Sequence, residues 1–271
     1  MVGDRVKNRL LSNILILLVC VPLLLKGETF FAALVLIVGV LCFKELYDLR
    51  LKEKKLSILI PILAYLTLGF LILNNYEGKD LTIILDYRIL AFITLAFLVP
   101  LVLIADNKKY NLLDAMYLIG CIMFMGFAFN LMIIIRNYSL TYFIYYVLIA
   151  VFTDSFALFG GKLIGKNKLI PEVSPNKTVE GFIVGTMMGT FVGIVYYLTV
   201  INSSIDMANL VIVTLSLSLI GELGDLVFSQ IKRFYEQKDF ADIIPGHGGF
   251  LDIFDSLIFI IISALLFIEI I

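Results

Sequence analysis

Long apolar runs separated by polar breaks dominate the chain, and nine of them approach the roughly 20 residues that a helix needs to cross a bilayer. They fall at residues 9–25, 29–49, 56–74, 88–104, 111–135, 140–160, 179–201, 208–231 and 254–271. In hydrocarbon the backbone must satisfy its own hydrogen bonds, so these runs are expected as helices rather than open strands. The pattern predicts an all-α, polytopic integral membrane protein with about nine transmembrane helices. Basic residues precede the first run, as in a signal peptide. No small-residue cleavage site follows it, however, and it is read as a transmembrane helix.

Two polar breaks are long, residues 160–178 and 233–251, and both lie in the second half of the chain. Lys and Arg sort unevenly between alternate breaks: 17 share the side of the N-terminus and 4 lie opposite, accounting for all 21. That bias places the N-terminus and both long loops in the cytoplasm of a cell bounded by an inner membrane, and an odd number of spans puts the C-terminus outside. Residues 1–135 carry few ionisable groups in their runs beyond interfacial ones such as Lys44, Glu45 and Arg88, and read as a scaffold of about five helices. Residues 136–271, with about four helices and the two long loops, read as the catalytic region.

Composition strengthens the membrane reading, since 61% of the residues are hydrophobic, only 16% are charged and mean hydropathy is +1.03. A net charge of -1 excludes nucleic acid as a partner, because a phosphate backbone calls for a surplus of Lys and Arg on one face. Cys20, Cys42 and Cys121 stand singly in apolar runs, with no metal-binding spacing, and are expected as small hydrophobes.

Ionisable side chains enter the apolar runs from the sixth onward. Asp154, Glu222 and Asp225 sit where a charge is costly, so each is expected to face a wet cavity or a partner; for Asp154 and Asp225 a place at an interfacial helix end is the alternative. Spacings of four and three put Asp225, Ser229 and Lys232 on one helical face, next to Arg233, while Gly221 and Gly224 admit close approach of a backbone or ligand. The following loop ends in Pro245-Gly246-His247-Gly248-Gly249. Consecutive glycines and a helix N-terminus can present backbone N–H groups to an anion. Asp252 and Asp255 then share a face of the first turn, where they suit either the helix dipole or a metal. Asp225, Asp252 and Asp255 together could hold a hard cation such as Mg²⁺, with a second cation possible, bridging to phosphates that Lys166, Lys177, Lys232 and Arg233 neutralise.

The loop at 160–178 has no P-loop spacing. Its lysines serve equally as anchors on the cytoplasmic side. Ser174-Pro175 opens a turn, Asn176 or Thr178 is a candidate cap for the next helix, and Glu180 falls in that helix's first turn.

These residues carry a resemblance to the CDP-diacylglycerol synthases, or phosphatidate cytidylyltransferases. Ser229, Lys232-Arg233, Lys238-Asp239, Ala241, Pro245, His247-Gly248-Gly249, Asp252 and Asp255 fall at matching places of that family's signature. Asp154, Gly161, Gly165-Lys166 and the block from Ser174 to Gly181 are similar to its upstream segments, so the likeness covers about residues 150–271. One position departs: Ile253 stands where the signature has Arg, which leaves Lys232 or Arg233 to supply the missing cation. The resemblance implies transfer of CMP from CTP to phosphatidate, giving CDP-diacylglycerol and pyrophosphate, with Mg²⁺ as the metal and a homodimer in the bilayer. It implies that Asp225, Asp252 and Asp255 hold the metal. Lys177, Lys232 and Arg233 would then bind phosphates, with Asp154, Asn176 and Thr178 helping with the nucleotide. His247 would bind phosphate, shape the loop or act as a base, and Gly248 and Gly249 would position CTP. Two rivals remain, a related CTP-dependent lipid nucleotidyltransferase or kinase, and a cation-coupled transporter built on the same buried acids.

Overall fold

A computed structural model describes residues 18, 20–52, 54, 56–78, 87–202, 204–244, 248–267 and 270. Its helices are α1 (Glu28–Leu51), α2 (Leu59–Ile72), α3 (Tyr87–Ile104), α4 (Leu112–Tyr138), α5 (Leu140–Ile164), α6 (Val179–Tyr196), α7 (Met207–Phe234) and α8 (Leu251–Ala264). A π-helical turn, Tyr197–Ile201, extends α6, and a short 3-10 turn, Leu265–Phe267, follows α8. Among the described residues six helices are long and apolar enough to span a membrane: α1, α3, α4, α5, α6 with its extension, and α7. At 14 residues each, α2 and α8 fall short of the length expected at 56–74 and 254–271. The run at 9–25 lies largely outside the described residues.

Two compact units emerge. One comprises the chain through Tyr138 together with Phe240–Leu251, and the other comprises Ser139–Asp239 with the chain from Asp252 onward. In the first, α4 is the hub, buried along most of its length against α1, α2 and α3. Polar side chains finish the helix ends that a hydrocarbon setting leaves unsatisfied. The Asn130 amide donates to the carbonyls of Ile72 at 2.9 Å and Asn74 at 2.6 Å, closing the end of α2. Asp114, wholly buried, takes both Arg50 and Lys54, tying the end of α1 to the start of α4. Helix α3 buries only Ile93 and Phe97 and turns Leu95, Val99, Val102 and Leu103 outward, as a lipid-facing helix does.

In the second unit a four-residue glycine repeat sets the packing. Gly181, Gly185, Gly189 and Gly193 line one face of α6, and a Cβ added to Gly185 would sit 2.6 Å from the Thr153 carbonyl of α5. Without side chains between them the two backbones lie close, the arrangement small residues permit where lipid supplies no hydrophobic drive. Ile183, Met187, Phe191 and Val195 repeat at the same interval on the exposed face. Between α5 and α6, where residues 160–178 read as a loop, α5 continues to Ile164 and a two-stranded antiparallel hairpin follows, β1 (Lys168–Ile170) and β2 (Ser174–Thr178).

Candidate active site

Ionisable side chains of α5, β2, α7 and α8 converge in the second unit. Lys177 reaches from the end of β2 to α7, its Nζ 2.8 Å from Asp225 Oδ2 and 3.4 Å from Glu222 Oε2. Ser229, one turn on, donates to Asp225 Oδ1 at 3.3 Å. The next turn brings Lys232, whose Nζ lies 2.6 Å from Asp252 Oδ1 on α8. The face predicted from the spacing of Asp225, Ser229 and Lys232 is therefore the one that meets the other groups. Asp255 accepts the Ser256 N–H at 2.7 Å, and the Ser256 hydroxyl donates to Asp154 Oδ1 at 3.0 Å, linking α8 to α5. Asp154, Asp225 and Asp255 lie close enough to feel one another's charge.

Glycine shapes this seam too. A Cβ on Gly224 would lie 2.6 Å from the Phe259 ring and one on Gly221 2.8 Å from Ile260, so these glycines admit side chains of α8 rather than a ligand. Below the acids, Thr153 and Ser218 share a hydrogen bond at 2.7 Å, and Ser218 also donates to the Thr186 carbonyl at 3.2 Å.

Five carboxylates, of Asp154, Glu222, Asp225, Asp252 and Asp255, thus face the ammonium groups of Lys177 and Lys232. Burial by itself would lower the pKa of Lys177, but Asp225, Glu222 and Asp154 outweigh it and hold the ammonium above the usual lysine value. Glu222 is 1% exposed, and its Oε1 has no hydrogen-bond partner. An excess of hard oxygen donors and an orphaned carboxylate oxygen suit a hard divalent cation in their chemistry. Among the described residues no three such side chains are already arranged to hold an ion, because lysines stand against Asp225 and Asp252.

Other predicted residues stand apart from this cluster. Thr178 caps α6, accepting the Gly181 N–H at 3.1 Å, and Asn176 is exposed on β2. Glu180 accepts the N–H groups of Lys166 and Asn167 at 3.1 and 3.2 Å, fixing the turn into β1, while the Lys166 side chain is exposed. Ser174 opens β2 and is half-buried. Arg233 donates to the carbonyls of Val173 at 3.1 Å and Gln237 at 3.0 Å, tying the hairpin to the end of α7. Ile253 stands where the signature has Arg, and the neighbouring Asp252 pairs with Lys232. His247 lies outside the described residues.

Gly248 and Gly249 belong to the other unit. Gly248 has φ +91°, open to glycine, and exchanges two backbone hydrogen bonds with Ile244. At the start of α8 the backbone meets a carboxylate of the chain itself: Phe250 and Leu251 donate to Glu45 at 2.7 and 2.8 Å. Glu45, read from the sequence as interfacial, is 3% exposed. Glu222 and Ser256 were likewise missed as site residues. Glu222 had a legible signal, since it lies three residues before Asp225 on the same helical face.

The chain is 37% identical over 258 residues to a phosphatidate cytidylyltransferase of Bacillus subtilis (strain 168), covering 94% of each. It is 33% identical over 255 residues to a phosphatidate cytidylyltransferase of Staphylococcus haemolyticus and 34% over 256 residues to one of Staphylococcus epidermidis. Each alignment covers 94% of this chain and 96% of the relative. The profile of the Cytidylyltransferase family matches residues 7–271, the acid and lysine cluster included, and the chain belongs to that family.

Proposed function

We propose that the chain is a phosphatidate cytidylyltransferase of the membrane. A carboxylate-rich cluster with two lysines, built from three helices and a hairpin, is the observation that carries this reading, and relatives of that name across nearly the whole chain support it. A phosphate oxygen of phosphatidate attacks the α-phosphorus of CTP. The new P–O bond forms as the bond to the β-bridging oxygen breaks, and pyrophosphate leaves with the electron pair. The acceptor is already anionic near neutral pH, so the chain's task is neutralisation and in-line placement rather than proton removal. Asp225, Asp252 and Asp255 would hold Mg²⁺, which would offset phosphate charge and align the reacting groups. Lys177 and Lys232 bind phosphate oxygens after leaving their carboxylate partners, and Arg233 steadies the hairpin beside them. Asp154 and Ser229 would orient the site, and Ser174, Asn176 and Lys166 would contact the nucleotide.

The same reading keeps about nine spans, the N-terminus and both long loops in the cytoplasm, the C-terminus outside, and a homodimer. It treats residues 1–135 as scaffold and 136–271 as the catalytic region. Detergent-purified protein given CTP, Mg²⁺ and phosphatidate is expected to release pyrophosphate and form CDP-lipid in equal amounts. No product, or full activity in Asp252→Asn with Asp255→Asn, would overturn the proposal.

A further inference from the structure

Helix α8 takes acceptors for its first amides from a distant part of the chain. Phe250 precedes its first residue and has no acceptor, and the residues before it are Gly248 and Gly249. Of the two acids of the first turns, Asp252 Oδ1 takes Lys232 and Asp255 Oδ1 takes the Ser256 N–H. The first free amides of a helix need an acceptor, and in an apolar setting water does not supply one. Glu45, from the middle of the other half of the sequence, meets that need with one oxygen on each of the Phe250 and Leu251 N–H groups. Gly249 makes room for it: a Cβ there would lie 2.5 Å from Glu45 Oε2. Glu45, Gly249, Phe250 and Leu251 all belong to the first compact unit, and Asp252 follows directly in the chain.

We infer that Glu45 is a positioning residue for the transfer reaction, fixing the start and direction of α8 and thereby where Asp252 and Asp255 stand. This inference rests on the proposed role of those two acids. Its carboxylate acts through the backbone of Phe250 and Leu251. Misplacing reacting groups by an ångström can cost about 10²-fold in rate.

Glu45→Ala is expected to lower kcat by about 10²-fold with a KM for CTP within about threefold of the parent. Glu45→Gln, which keeps an acceptor for one amide, is expected to retain more activity than Glu45→Ala. The decisive arm is repair in place: Phe250→Asn supplies a side-chain acceptor at the cap position and is expected to restore at least tenfold of the loss in the Glu45→Ala background. Hydrogen–deuterium exchange of the peptide spanning residues 248–256 should accelerate in Glu45→Ala and slow again in the double variant. Exchange needs no turnover, so it tests the cap even if the proposed reaction is wrong. Unchanged exchange in Glu45→Ala, or accelerated exchange with kcat kept within twofold, overturns the inference. If Glu45→Ala does not purify as a folded protein, the same two measurements on Glu45→Gln decide.

Discussion

Replacing Lys177 by Met removes the only ammonium within salt-bridge distance of Glu222 among the described residues. Glu222 is 1% exposed and already has one oxygen without a partner, so the variant leaves it to bear an unpaired buried charge or to take up a proton. Removing one member of a buried pair costs about 3–5 kcal/mol. The side chains of Lys177 and Asp225 are 20% and 26% exposed, and water reaching them lowers the expected loss to about 2–3 kcal/mol. Denaturant titration of the detergent-solubilised protein measures this directly. Adding Glu222→Gln removes the stranded charge and is expected to return more than half of the stability, while turnover is expected to stay lost under the proposed phosphate role of Lys177. A Lys177→Met protein as stable as its parent, or a double variant no more stable than the single one, would refute the reasoning. The pH dependence has a defined sign. An amine raised above 10.5 in the native state contributes fully below that value and loses its contribution as pH climbs through the native pKa. The stability of the parent relative to Lys177→Arg should therefore be constant through neutral pH and fall only in alkali.

Gly185→Ala would put a Cβ 2.6 Å from the Thr153 carbonyl and 2.5 Å from Glu222 Oε1, and is expected to cost about 1–3 kcal/mol by forcing α5 and α6 apart. Gly120→Ala on α4, with nothing within 4 Å, should change stability by no more than about 0.5 kcal/mol in the same titration, or increase it. Lys232→Met leaves Asp252 without its 2.6 Å ammonium and is expected to lower kcat at least tenfold, measured as pyrophosphate release. EDTA is expected to abolish turnover and added Mg²⁺ to restore it; activity that survives exhaustive chelation would remove the metal from the mechanism.

The helical class and most helix positions were legible because hydrocarbon imposes one rule on every residue of a span. The stripe of Asp225, Ser229 and Lys232 was legible because helical spacing is local. The hairpin was not: it has only three and five residues, sits among lysines and includes Pro175, and its pairing depends on α5 and α6 framing it. Glu45 was read as interfacial because its partners lie 205 and 206 residues further along, a separation no periodicity reports. The glycine repeat of α6 was open to inspection, but only the backbone of α5 shows which face those glycines must clear.

The hairpin also has a temporal consequence. Asp154 and Lys177 precede Glu222 and Asp225 in the chain, and Asp252 and Asp255 follow them. As the protein is made from its N-terminus, the ammonium that neutralises α7 is synthesised before α7 is, and Lys232 leaves the ribosome before the acid it pairs with on α8. Each pair of carboxylates on these two helices therefore finds its counter-ion already made, which spares α7 and α8 an interval with unpaired acids.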